Sequence, residues 1–561
     1  MSTASSWTFP PPPVEARPSE FTSIEWEVLR QRGAHDSAEA AHLLQPAAGP
    51  THDPHLLRDI ERAVARLQHA VSHGERIAVY GDYDADGLTA TAMLSTALEA
   101  LGANVLPFIP SRFEEGYGLQ ADALARLRQD EGCHLVISVD CGVRAVAEVR
   151  AAQESGLDVI VTDHHEPGAE LPPAVAVVNP KREDDSYPFK ELSGVGLAYK
   201  VAQALAGVPL RGWIEAEALT YVAVGTIADI VSLTDENRTL VARGLDRLRE
   251  FPPPGMAALM EVGGVNRRRL TARDVGFSIG PRLNAAGRLG SAMEAFRVLR
   301  ARDLAEALPL AEQLDRANRE RQDLTRQLLV RARSRLGEVA AMPALIFDAD
   351  EDYGEGILGP AAAKLSEEWS RPAVLVSLRG ESARGSARSV PGFHITEALE
   401  DCAHLLERFG GHAAAAGFSL RAERVPQLKS RLEGLAAERL VTAGEPPPLQ
   451  VDAVVQPLDV NRRLLDFLDR LEPLGNGFPV PLFACLGLTV VDTKPVGRDK
   501  AHLRLTLRHK DRAVDAIAFR RGDRPLTRGE RIDLAFYAER ELYLGLESVR
   551  WNVQAIRPAQ R

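Results

Sequence analysis

Three aspartates at alternate positions, Asp82, Asp84 and Asp86, close the apolar run at residues 77–88, Ile-Ala-Val-Tyr-Gly-Asp-Tyr-Asp-Ala-Asp-Gly-Leu. Carboxylates this close repel one another, and a divalent cation is the simplest compensation. The stretch reads as well as a solvated acidic turn in which Asp86 or Thr89 caps a helix. Three more places offer ligands. Asp140 follows Leu-Val-Ile-Ser-Val, Asp163-His164-His165 follows Asp-Val-Ile-Val-Thr, and Asp229 stands in Val-Gly-Thr-Ile-Ala-Asp-Ile. Taken singly, Asp140 is also a candidate cap for a helix near Val143, and Asp229 a helix-terminal acid. Together, carboxylates with one or two imidazoles suit Mn²⁺ or Mg²⁺ better than a structural zinc. Such a set holds two ions about 3.5–4 Å apart, the arrangement for phosphoryl transfer to water. Neighbouring His164 and His165 point in different directions, so one can bind metal while the other faces a phosphate. Asp163 is placed to orient an imidazole from behind.

The elements that must position these residues follow from hydrophobic pattern. Short apolar runs at Ile77–Tyr80, Val105–Ile109, Leu135–Val139, Val159–Val161 and Val175–Val178 read as buried strands. Helical stretches near 88–101, 120–129, 143–155, 196–206 and 215–230 separate several of them. This alternation predicts a parallel sheet covered on both faces, with ligands at the carboxyl ends of its strands. Pro252–Pro254 marks a break, residues 262–290 are rich in Gly and Arg, and 300–337 predict a long connecting helix. A second, smaller α/β region spans about 343–440, with strands near Ala344–Phe347, Ala373–Ser377 and Ala383–Arg388. Gly444–Pro448 reads as a linker. Beyond it, Leu503, Leu505 and Leu507 alternate with polar residues, and the tail from about 485 predicts a small β-barrel. The expected division is an extension at 1–50 with a proline-rich arm at Pro10–Pro13, the sheet domain at 51–250 and a connector at 251–340. The second α/β domain at 341–442 and the barrel at 449–561 follow.

The chain has 561 residues and a formal net charge of −11. That total does not announce a nucleic-acid binder, yet local patches decide polyanion binding. Cys133, Cys141, Cys402 and Cys485 are scattered without metal-site spacing and suit a reducing interior. No signal-like segment and no uninterrupted spanning apolar run is present in the sequence, so a cytoplasmic, membrane-free monomer is the expectation.

Asp163-His-His165 is the signature of the DHH phosphoesterase superfamily. Gly81–Gly87, Ser138-Val-Asp-Cys-Gly142, Thr162–His165 and Gly225-Thr-Ile-Ala-Asp229 stand in matching order and spacing. Together they resemble the RecJ family of single-strand-specific DNA exonucleases. So do Gly280-Pro-Arg-Leu-Asn-Ala-Ala-Gly-Arg288, Gly385-Ser-Ala-Arg-Ser389 and Gly410–Gly417, the last marking a DHHA1 domain. Leu474–Phe483 is similar to the lead-in to that family's oligonucleotide-binding (OB) barrel. The resemblance implies that Asp84, Asp86, Asp140, His164 and Asp229 ligate two ions, with Asp82 as a further ligand or a supporting acid. Catalysis would rest on His165, Asp140 and His164, with His165 on the scissile phosphate. Arg282, Asn284, Arg288 and His412 would approach the substrate backbone. Arg112, Ser386 and Arg388 would grip a terminal 5′-phosphate, as an arginine fork and hydroxyl suit a dianion. One departure is Gly354, where the family carries a histidine after an aromatic residue.

Basic stretches interrupt the acidic total: Arg267–Arg269 with Arg273, the helix residues Arg316, Arg319, Arg321, Arg326, Arg331, Arg333 and Arg335, and the barrel region from Arg498 to Arg531. Phe519 lies within the last and Phe536, Tyr537 and Tyr543 follow it, either as platforms for stacked bases or as barrel core. The expected activity is 5′-to-3′ hydrolysis of single-stranded DNA in repair and recombination. A single-strand-binding protein and a helicase are partners the resemblance implies. A phosphodiesterase for short oligonucleotides or cyclic dinucleotides, or a non-catalytic single-strand binder, are the competing readings. The former would lack the long helix and barrel, and the latter would lose metal ligands.

Overall fold

The computed structural model describes residues 6–11, 16–112, 118–207, 210–336, 343–441, 448–497, 500–522, 526–543 and 546–559. Residues 12–13 of the proline arm, 444–447 of the linker, Arg498 and Arg524 lie outside these, as does the Tyr543 side chain.

Five parallel strands form the central sheet, in the order Asn104–Phe108, Arg76–Tyr80, Leu135–Val139, Asp158–Thr162, Ala176–Val178. Successive side chains point to opposite faces, and both faces are covered. Ile77, Val79 and Ile137 pack under the helices Ala85–Ala100, Gly194–Leu205 and Glu217–Ala228. Ala78, Tyr80 and Val136 pack under Ala121–Gln129 and Val146–Glu154. Burial on both sides is why these runs are continuously apolar. Among the described residues no helix is long and apolar enough to cross a membrane.

The region expected as a connector shares this core. Leu259, Leu283, Phe296 and Leu299, from the helices Pro254–Val262, Gly280–Leu289 and Met293–Leu299, belong to the same cluster. A helix of 33 residues, Leu304–Leu336, then runs about 50 Å at 1.5 Å per residue. Its Ala307, Ala311 and Leu314 sit in the first core, and its Leu328, Leu329 and Ala332 pack on the second α/β domain. Pro309 stands in its second turn, removing one backbone donor without ending the helix.

The second α/β domain is a mixed sheet in the order Arg408–His412, Ala415–Arg421, Ser382–Arg388, Ala373–Arg379, Ile346–Asp350. Only the last two strands run parallel. Five strands close the C-terminal barrel, with Phe483–Val496 pairing both His502–His509 and Arg531–Tyr543. Leu503, Leu505 and Leu507 all face its core. Phe536 is fully buried and stacks on Trp551 with centroids 3.9 Å apart, so it fills the barrel and offers no platform to a base. Tyr537 packs beside Trp7 and Val451, and Phe519 meets His502 edge-on at 5.1 Å.

Described parts of the segment expected as an N-terminal extension pack on the barrel, while Ala47 O accepts from Arg243 of the sheet domain. Trp7–Thr8 pairs in parallel with Leu449–Gln450. The helix Ser23–Arg30 places Trp26, Val28 and Leu29 in one cluster with Leu464, Phe467 and the barrel leucines. Arg32 pairs with Asp452 at 2.7 Å and Glu25 with Arg463 at 2.8 Å. The two ends of the sequence therefore build one unit.

Candidate metal centre

Adjacent parallel strands end on the same edge, which brings their following residues together. Asp82 follows Arg76–Tyr80, Asp140 follows Leu135–Val139, and Asp163–His165 follow Asp158–Thr162. Asp140 adopts φ 64°, a left-handed conformation rare for non-glycine residues and characteristic of constrained sites. Asp84 caps the helix Ala85–Ala100, its Oδ1 accepting from Asp86 N and Gly87 N at 3.0 and 3.1 Å. The cap is thus Asp84, and Asp86 is free to point inward. Asp86 accepts from Gly194 N at 2.7 Å and Val195 N at 2.9 Å, at the positive end of the helix Gly194–Leu205. Asp229 lies at the carboxyl end of Glu217–Ala228, where the helix dipole disfavours an anion and a cation is called for.

Three ligand groups result, each with its donor atoms within 4.8 Å: Asp82, Asp84 and Asp140; Asp86, His164 and Asp229; Asp140, His164 and His165. Asp140 bridges two of them. His164 Nε2 lies 3.1 Å from Asp140 Oδ1, 3.5 Å from Asp229 Oδ2 and 4.0 Å from Asp86 Oδ2. Asp82 Oδ1, Asp140 Oδ1 and His164 Nε2 are buried without a hydrogen-bond partner. Buried acceptors of this kind are paired or ligate metal in native proteins, so the residues present fit divalent cations. Asp82 groups with Asp84 and Asp140.

Electrostatics agree. Burial and the neighbouring carboxylates push Asp82, Asp140 and Asp229 well above the usual carboxylate range, and burial with the Asp84 charge lifts Asp86 to about 7. Burial and the charge of His165 hold His164 down to about 3, leaving a neutral imidazole able to donate a lone pair. His165 behaves oppositely. Burial opposes its charge, but the Asp163 hydrogen bond at 2.7 Å and the surrounding carboxylates raise it to about 9. Asp163 is fixed in turn by Val143 N at 2.9 Å. His412 stacks on His165, with centroids 5.8 Å apart and planes 14° from parallel.

A second cluster is rich in arginine. Arg112 lies over the Tyr83 ring at 5.1 Å, and Arg388 Nη1 reaches Ser386 Oγ at 3.3 Å. A Cβ on Gly359, at the start of the helix Leu358–Trp369, would lie 3.0 Å from Arg388 and 3.3 Å from Ser386 Oγ. Arg288 donates to Gly356 O. Burial and the charges of Arg112, Arg321 and Arg388 lower Arg288 to about 10. Guanidiniums crowded this way call for an anion.

Family models match in three places: the DHH family N-terminal domain at residues 76–226, the DHHA1 domain at 339–438 and the RecJ OB domain at 451–555. A single-stranded-DNA-specific exonuclease RecJ from Dickeya dadantii is 34% identical over 83% of this chain and 84% of its own. The chain belongs to the RecJ family. The RecJ of Bacillus subtilis is 38% identical over 90% of this chain, which spans 64% of that relative's length. The crystal structure of RecJ in complex with Mn²⁺ from Thermus thermophilus covers 99% of this chain and 80% of its own, with TM-score 0.81 and 31% identity. An exonuclease RecJ bound to manganese, 40% identical, covers 68% of this chain and 95% of its own with TM-score 0.58.

Two residues expected at the RecJ substrate backbone are engaged within the protein. Arg282 pairs with Asp315 of the long helix at 2.8 Å, tying that helix to Gly280–Leu289. Asn284 Oδ1 accepts from Ala85 N at 2.7 Å, bracing the turn that carries Asp84. Sequence reasoning missed the Gly194–Val195 cradle, although Ser193-Gly-Val-Gly196 opening a helix is an anion-binding pattern. It also missed Asn179, whose Nδ2 donates to His165 O at 2.9 Å. At Gly354, φ is −70° and a Cβ would make only ordinary contact with Ile357, so the position accepts a side chain.

Proposed function

We propose that this chain is a Mn²⁺- or Mg²⁺-dependent exonuclease that hydrolyses single-stranded DNA from its 5′ end by a two-metal route. The observation that carries the reading is the juxtaposition of the buried ligand cluster with the arginine pocket, joined through Tyr83 between Asp82 and Arg112. Asp82, Asp84 and Asp140 would hold one cation, and Asp86, His164 and Asp229 the other, with Asp140 shared. Cations bound there supply Lewis acidity and a more acidic water. The remaining steps belong to the side chains. His165, charged and held at Nδ1 by Asp163, presents Nε2 to a non-bridging phosphate oxygen as negative charge builds. Arg112, Ser386 and Arg388 bind the terminal phosphate and set which bond reaches the ligand cluster. Action in repair and recombination, in a cytoplasmic setting beside a single-strand-binding protein and a helicase, belongs to the same proposal. The long helix and barrel disfavour a small-substrate phosphodiesterase, and the intact ligand set disfavours a non-catalytic binder.

With Mn²⁺ present, a 5′-labelled single strand is expected to release labelled mononucleotide first; label held in long products until late digestion would overturn the polarity. Asp140→Asn or His164→Ala should lower the rate by about a thousandfold or more, equivalent to several kcal/mol of lost transition-state stabilisation. Strand binding in chelator should persist. Undiminished cleavage would remove both residues from the centre.

A further inference from the structure

Asp229 ends its helix beside an improbable residue. Ile230 adopts φ 61°, the left-handed position that usually closes a helix with glycine. For a β-branched side chain this conformation is a genuine outlier, and it persists only where the surroundings over-determine it. Ile230 is also 71% exposed, so side-chain packing does not hold it there.

What holds it comes from the loop leading into the barrel. Asn476 Nδ2 donates to Ile230 O at 2.9 Å, and Asn476 O accepts from Leu233 N at 2.7 Å. The flanking glycines permit the approach. A Cβ on Gly475 would lie 2.8 Å from Leu233 Cδ1, and one on Gly477, at φ +73°, would run into Ser232 Oγ. The next residue fixes the loop itself. The guanidiniums of Arg238 and Arg32 lie over the Phe478 ring, 3.6 Å and 5.4 Å from its centroid. Arg238 also donates to Leu471 O at 2.7 Å. The loop is therefore locked to the sheet domain and the N-terminal segment, while its tip grips the turn that begins at a metal-ligand candidate.

We infer that Asn476 is a positioning residue of the metal centre: by clamping Ile230 and Leu233 it holds the Asp229 carboxylate in reach of Asp86 and His164. This rests on the metal reading above and adds a dependence that no ligand reveals. Metal affinity in the sheet domain is set partly by a side chain of the barrel's lead-in. Supporting partners of metal ligands are commonly worth tenfold or more in affinity.

The test uses the full chain and Mn²⁺ binding followed by calorimetry, alongside strand binding in chelator and thermal unfolding of the metal-free protein. Asn476→Ala should weaken Mn²⁺ binding by about tenfold, with strand affinity in chelator unchanged within about twofold. Asn476→Asp, nearly isosteric but unable to donate, should weaken it similarly, and it serves where the alanine variant folds poorly. The deciding variant is Ile230→Gly in the Asn476→Ala background. Glycine accepts φ near 60° without strain, so Mn²⁺ affinity should return most of the way to wild type. Unchanged Mn²⁺ affinity in both Asn476 variants would overturn the inference. So would a loss that glycine at 230 fails to restore and that is matched by lost strand affinity, because the loop would then be plain domain packing. A wild-type chain that binds no Mn²⁺ would instead sink the metal reading itself.

Discussion

Burial and the Asp84 charge lift the Asp86 carboxyl to about 7, so the metal-free site is a store of electrostatic conflict. The sign follows from linkage. A carboxyl raised in the folded state contributes stability that is present in acid and fades as pH climbs from the ordinary carboxylate range to about 7. Mn²⁺ held by these carboxylates would take the place of the protons. The gain in Tm on adding Mn²⁺ should therefore be larger at about pH 8 than at about pH 5.5, measured by calorimetry on chelator-treated protein. Equal gains would place the ion elsewhere. At the other pocket, Arg388→Ala should raise KM for a 5′-phosphorylated strand by about tenfold, the scale of one charge-assisted bond. A 5′-hydroxyl strand should be little affected, and equal loss on both would make Arg388 a general backbone contact. The candidate acids Asp82, Asp140 and Asp163 were legible because each follows a strand end, whereas Asp229 ends a helix. The internal partners of Arg282 and Asn284 were not legible, because nothing in a sequence says whether a guanidinium or carboxamide is already bound, here to Asp315 and Ala85.

Helices set the carboxylates as firmly as the strands do. Gly225 lets Glu217–Ala228 lie against the helix Ala85–Ala100. A Cβ there would collide with Thr89 Oγ1 and sit 2.7 Å from Val195 Cγ1 and 2.8 Å from Asp86 Oδ1. Gly225→Ala should cost about 1–3 kcal/mol by overpacking and weaken Mn²⁺ binding as well. Gly212→Ala, which meets nothing within 4 Å, is the control. Urea unfolding and metal titration read both effects, and an unperturbed Gly225 variant would show that the two helices are free to separate. Helix-forming, heavily charged composition made the long helix legible, but the proline inside it, Pro309, was not weighed in that reading. The hairpin Arg408–His412 and Ala415–Arg421 was not legible, since Gly410, Gly411 and Ala413–Ala416 lack the branched and aromatic residues of a strand. Pairing with Ser382–Arg388 imposes the extended form and delivers His412 to His165.

Across the whole molecule, the barrel cannot be removed cleanly. Deleting residues 449–561 strips the partners of Trp26, Val28 and Leu29. That truncation should bind a hydrophobic dye strongly, whereas one that also removes residues 1–44 should bind less. The double truncation should lose affinity for long single strands more than for a dinucleotide, as expected of a barrel that tracks a strand. Equal loss on both substrates would make the barrel structural only. The packing of the two chain ends was illegible because residues 1–50 have weak local pattern, and their apolar side chains match a surface made hundreds of residues later. During synthesis that order has a price. At ordinary elongation rates the first segment waits on the order of 20–80 s for its partner, with Trp26 uncovered throughout. A chain stopped before Leu464 would lack the residues that bury Trp26 in the finished protein, so an uncovered tryptophan would mark it as incomplete.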